Sequence, residues 1–119
     1  MEFNEVQARE FARSKDRDIY FVYLLRKGPA WSPDESSEVD ALQQAHLDNL
    51  RRLREEGKIV LSGPFLDSFQ LSGDIRSIGI LKAMSLAEAR EWISTDPMVK
   101  AGRLAVDIHA WMVPRGVLP

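Results

Sequence analysis

Ile19-Tyr20-Phe21-Val22-Tyr23-Leu24-Leu25 is the stretch that decides the fold. β-Branched and aromatic residues dominate it, and both of its alternating faces are apolar. It is too short for a buried helix and reads as a central strand covered on both sides. The next residues, Arg26 to Pro33 (RKGPAWSP), hold a glycine and two prolines and read as a loop. From about Ser36 to Glu56 the pattern turns helical. Ser36 or Ser37 caps the start, with Ser32-Pro33 as a competing start, and Leu42, Ala45, Leu50 and Leu53 form the apolar stripe. Gly57 stands where a left-handed C′ residue ends such a helix.

Lys58–Ser62 (KIVLS) reads as a second strand, stopped by Gly63-Pro64. Phe65 to Asp74 is a turn-rich connection. Arg76–Ala83 is a third strand. Ser85 and Glu88 form a capping box that opens a helix over 86–94, broken by Asp96-Pro97. Leu104–Met112 is the fourth strand. The order is βαββαβ, which predicts a ferredoxin-like α+β fold: an antiparallel four-stranded sheet with two helices on one face. Residues 1–18 form an N-terminal arm or short helix, and 19–119 the domain proper.

One sheet face then carries Tyr20, Val22 and Leu24 with no helix over it, which is a large apolar patch. A second copy packed sheet to sheet, giving a homodimer, covers it. The alternative cover is the N-terminal arm folded back over that face.

Composition narrows the function classes. Sixteen basic against 18 acidic residues give a net charge of −2, which leaves no broad basic face for nucleic acid. The absence of cysteine removes disulfides, thiolate metal sites and cysteine nucleophiles. No apolar run approaches the roughly 20 residues of a membrane span, and the first residues lack a signal-peptide core. The expectation is a cytoplasmic protein that engages neither membrane nor nucleic acid.

Among polar residues, His46 is the most informative. At about 100° per residue it falls between Leu42, Leu50 and Leu53, in the middle of the apolar stripe. A titratable ring turned toward the sheet is either a general acid/base or a core histidine paired with a carbonyl. Asp96, past the second helix, is either turn chemistry or a partner brought to His46 by helix packing. Ser62, at the end of the second strand, has no base beside it and is a pocket-mouth hydrogen-bonding group more readily than a nucleophile. Arg26 and Trp31 share the loop after the first strand, as does Lys27. An arginine beside an aromatic suits a carboxylate or phenolate ring, and Arg76 is a similar candidate. Asp107, His109 and Trp111 alternate onto the uncovered face, where interface hydrogen bonds are expected. The two histidines lack metal-ligand spacing, and no phosphate-cradling glycine loop occurs, so neither a metal nor another cofactor is expected.

Taken together, the strand at 20–25, RKGPAWSP, HLDNLRRLREEGKIVLSGPF (46–65), TDPMVKAGR and the final IHAW resemble the YciI-like (YCII-related) family, over about residues 19 to 112. The resemblance implies a dimeric α/β barrel, similar to muconolactone isomerases and other small cofactor-free enzymes. It also implies a His–Asp active-site pair, which falls on His46 and Asp96 with Ser62 near the pocket. Members linked to chloroaromatic breakdown are described as dehydrochlorinases. The functional expectation is a cofactor-independent enzyme in which His46 shuttles a proton, Asp96 orients it, and Arg26 and Trp31 hold a small aromatic or lactone substrate. The alternative is a non-catalytic dimeric module that binds a small molecule or serves as an accessory protein.

Overall fold

The computed structural model describes residues 3–67 and 73–119. Part of the expected connection between the second and third strands, and the first two residues of the expected arm, lie outside the described residues. The elements are α1 (Glu5–Ser14), β1 (Arg17–Lys27), α2 (Ser37–Glu55), β2 (Ile59–Pro64), β3 (Ile75–Leu81), α3 (Leu86–Ile93), α4 (Pro97–Lys100) and β4 (Leu104–Pro114). The four strands form one antiparallel sheet in the order β2-β3-β1-β4. This is the ferredoxin-like α+β arrangement.

Strand alternation separates the two faces. Phe21, Tyr23 and Leu25 of β1 point to the helices and pack with Leu53 of α2 and Ala89 and Ile93 of α3 in one core. Burying each large side chain of this set contributes about 1.5–3 kcal/mol, which makes this layer the main source of stability. Ser36 caps α2, its hydroxyl accepting from Val39 N. At the other end Gly57 adopts a positive φ of 76°, and Lys58 N and Gly57 N donate to Leu53 O and Arg54 O. That is a Schellman closure, and it turns the chain directly into β2.

Several boundaries differ from the expectation. β2 continues through Gly63-Pro64, because those two residues pair with Ile78 and Ser77 of β3. Pro64 is tolerated because β2 is an edge strand. β1 runs two residues further at each end, since β4 pairs with it from Arg17 to Lys27. Asp96-Pro97 does more than break a helix. It starts α4, with Pro97 in the first turn and the Asp96 side chain as the cap.

The helix-free face is not wholly bare. Tyr20, Ile80 and Val113 are buried there with Val60 and Leu118 against them, and the Tyr20 hydroxyl donates to Leu118 O at 3.1 Å. The chain after β4 thus curls over one end of this face. The N-terminal segment does not cover it: Glu5 of α1 accepts from Leu86 N at the start of α3, on the helical side. Trp111 and Ile78 remain 45% and 38% exposed on the uncovered part.

Candidate active site

α2 carries Val39, Gln43 and His46 on one stripe, and these residues form one wall of a cavity of about 300 Å³. The loop from Trp31 to Glu35 forms its roof. Pro64, Arg76 and Ser77 contribute from the paired ends of β2 and β3, and Met98, Arg103 and Leu104 close it from α4 and β4.

His46 is buried, and its Nδ1 lies 2.5 Å from Oδ2 of Asp96, which is fully buried. The other Asp96 oxygen accepts from Met98 N at 2.8 Å. A carboxylate only accepts, so Nδ1 carries the hydrogen and Nε2 is left for the cavity. The approach of two groups fifty residues apart has a local cause. One turn along α2, Asn49 donates to Thr95 Oγ1, and Thr95 in turn donates to Trp92 O at the end of α3. Two adjacent pairs therefore fasten residues 95–96 to α2, and α4 begins from that point.

The roof is fastened as well. Gly28 N donates to Arg103 O and Ala30 N to Gly102 O, both at 2.8 Å, and the Arg103 guanidinium donates to Ser32 O at 2.8 Å. The Trp31 ring has Lys27 Nζ 4.1 Å from its centroid and the Arg76 guanidinium at 5.7 Å. An aromatic face flanked by two cations thus stands at the cavity that His46 also lines.

Arg26 is elsewhere. Because β1 extends through Lys27, Arg26 is a strand residue and not a loop residue. Alternation turns it to the helix-free face with Leu24. There its Nε donates to Asp107 Oδ2 at 2.6 Å and its Nη2 to Oδ1 at 3.3 Å. This bond holds the Asp107 carboxyl below the usual carboxylate range and raises the guanidinium in turn. The expectation that Arg26 joins Trp31 at a substrate is thereby corrected. The cavity arginines are Arg76 and Arg103. Ser62 does not line the cavity either. It faces the helical side, as Tyr23 does, with β3 between their two strands.

Tyr23 and Gly79 are coupled in a way that strand alternation alone does not declare. Tyr23 pairs with Gly79 in β3, and Gly79 with Ser62 in β2, so the three form a row across the sheet. The Tyr23 ring lies over the Gly79 Cα, where any side chain would overlap it. A glycine inside a strand pattern is the available signal for such a close approach. Burial pushes the Tyr23 hydroxyl up to about 12; the Ser62 hydrogen bond works against this and the Asp96 charge adds to it. A raised pKa in the folded state gives stability that is complete below the unfolded value near 10 and is lost as pH climbs to about 12. The loss expected over that window is about 2–3 kcal/mol. Urea unfolding between pH 9 and 12 checks this: Tyr23→Phe, which cannot ionise, has the shallower decline.

Among the described residues, no three His, Cys, Asp or Glu side chains gather as a metal cradle. None of the described helices is long and apolar enough to cross a membrane.

Residues 20–112 match the YCII-related domain. The chain belongs to the YCII-related family. A solved structure gives a second comparison. 5-Chloro-2-hydroxyhydroquinone dehydrochlorinase (TftG) from Burkholderia phenoliruptrix AC1100, in complex with 2,5-dihydroxybenzoquinone, superposes with a TM-score of 0.54 at 26% sequence identity. The match covers 79% of this chain and 93% of that one. Comparison with curated proteins finds no match. As a YCII-related domain, the chain shares its fold with a small enzyme that binds a quinone ring, and it carries a buried His–Asp couple beside a cavity.

Proposed function

We propose that this YCII-related protein is a small enzyme that transfers a proton on a ring-bearing substrate, with His46 as the acid/base. The observation that carries the reading is the buried His46–Asp96 pair opening onto a cavity of single-ring size. Nε2 takes a proton from an acidic carbon or hydroxyl of the substrate. The imidazolium that forms is stabilised by Asp96, which also fixes the tautomer. In an elimination the electron pair left behind expels chloride, so the products are the unsaturated ring, chloride and a proton that returns to water. An isomerisation uses the same group to return the proton elsewhere on the substrate. Neither needs an added cofactor.

Chloride release from 5-chloro-2-hydroxyhydroquinone, together with deuterium uptake from heavy water into other hydroxylated rings, tests the proposal. His46→Gln is expected to lower either rate about 10²–10⁴-fold. Wild-type protein that catalyses neither, or an unchanged rate in His46→Gln, overturns the reading. Ring binding that persists without any turnover would point to a binding module instead.

The working unit proposed is a cytoplasmic homodimer, joined through the helix-free face with α1 as an accessory clasp on the core domain. Support comes from the exposed apolar side chains of Ile78 and Trp111 on that face. Sedimentation of wild type is expected to give a dimer at micromolar concentration and of Trp111→Glu a monomer. A monomeric wild type contradicts it.

A further inference from the structure

We infer that the hollow between the end of α1 and the start of β1 is an anion site, built from Arg9, Arg13, Arg17 and Arg115, that takes a phosphate dianion, free or as the end group of a small ester. The hollow lies at the opposite end of β1 from the loop that roofs the His46 cavity. All four arginines fall outside residues 20–112, the part that matches the YCII-related domain. The inference is therefore independent of the proton-transfer reading.

Chain geometry gathers the four. Arg9 and Arg13 stand one turn apart on α1 and share a helix face. Arg17 opens β1, and alternation turns it to the helical side with Ile19. It pairs with Pro114, the last residue of β4, so Arg115 follows directly beside it. The four arginines line a hollow of about 170 Å³, to which the described residues add a single carboxylate, Asp18. That carboxylate is committed: Arg115 Nη1 lies 3.7 Å from its Oδ1, and Gly116 N donates to its Oδ2 at 3.1 Å. Arg115 Nε also donates to Asp16 Oδ1 at 2.7 Å, which fixes the chain after β4 against the turn between α1 and β1. Glu5 approaches Arg9 no closer than 3.8 Å and spends both oxygens on Leu86 N. Among the described residues, no carboxylate pairs with the guanidinium of Arg13 or of Arg17. Like charges that share one hollow repel each other, and a bound anion removes that repulsion. Phosphate suits the hollow better than a carboxylate does. It carries about −1.5 to −2 charge at neutral pH and accepts on several oxygens, so donor forks from α1, β1 and the segment after β4 can engage it together.

Calorimetric titration of the full chain at constant ionic strength, with inorganic phosphate and methyl phosphate as probes, tests the site. Saturable binding is expected, and Arg13→Gln/Arg17→Gln is expected to weaken it at least about tenfold. Tighter binding of inorganic phosphate assigns the site to the free ion and tighter binding of methyl phosphate to an ester; either supports the inference. Arg13→Lys/Arg17→Lys keeps the charge without the fork and is expected to retain part of the affinity. Arg51→Gln/Arg54→Gln removes the same charge from the exposed side of α2 and is expected to bind as wild type does. An equal loss there reduces the effect to net charge and overturns the inference. So do wild-type protein that binds neither probe and unchanged binding in Arg13→Gln/Arg17→Gln. Urea unfolding without phosphate checks the fold of that double variant. Its midpoint is expected to equal that of wild type, since neither side chain loses a partner. A lower midpoint would make the two arginines structural props and would overturn the reading of them as a site awaiting an anion.

Discussion

Asp96→Ala is expected to destabilise the protein by about 2–5 kcal/mol. Asp96 is fully buried and both of its oxygens are engaged, one by His46 Nδ1 and the other by Met98 N. Truncation leaves two buried donors without a partner, and each carries the cost of its lost hydration. It also removes the cap of α4, and with it the start of the turn that holds the roof loop through Gly102 and Arg103. Urea denaturation is the measurement. The midpoint should fall with the slope unchanged, since the surface exposed on unfolding is the same.

Asp96→Asn separates structure from chemistry. The amide oxygen can still accept from Met98 N, which leaves the NH₂ group facing His46. Nδ1 must then accept, so the ring hydrogen moves to Nε2. The fold survives at a cost of about 1–2 kcal/mol. The cavity now meets a donor where the proposed reaction needs a base, and turnover should fall about 10³–10⁴-fold. A variant as active as wild type would show that the couple is a core hydrogen bond and nothing more.

How far these features are legible in the sequence depends on whether they are set by local periodicity or by contacts between distant segments. The strand at 19–25 and the stripe on α2 declare themselves because burial follows a repeat of 2 or about 3.6. The position of His46 on the buried stripe is likewise visible from spacing alone. The meeting of His46 with Asp96 is not. It depends on Asn49 gripping Thr95 across 46 residues of chain, and no local pattern encodes that contact. Arg26 illustrates the opposite difficulty. Its neighbours Gly28 and Pro29 read as loop, but β4 pairs with β1 as far as Lys27 and turns Arg26 onto the other face. Arg103 had no local signal at all, because its role comes from the carbonyls of a loop joined to it only in three dimensions.

Gly79→Ala tests the row beneath the site. In an ordinary strand this exchange stabilises by roughly 0.5–1 kcal/mol, because glycine has more backbone freedom to lose on folding. Here the sign should reverse. A methyl group at Gly79 falls 2.1 Å from Cζ and 2.2 Å from both Cε2 and the hydroxyl oxygen of Tyr23, far inside contact distance. The ring has little space to swing into: Tyr23 is 1% exposed and shares its core with Phe21 and Leu25. Overpacking of this kind costs about 1–3 kcal/mol or more. Tyr23→Phe gives no relief, because Cζ is still in place. Tyr23→Ala removes the obstruction. Although that change alone costs about 3–5 kcal/mol, Gly79→Ala added to it should be neutral or stabilising. The coupling between the two positions in a double-mutant cycle is therefore expected to exceed about 1.5 kcal/mol, within the range for side chains in direct contact. Simple additivity would mean that the Tyr23 ring does not rest on Gly79. The Tyr23–Ser62 pair beside Asp96 would then have no fixed base in the sheet.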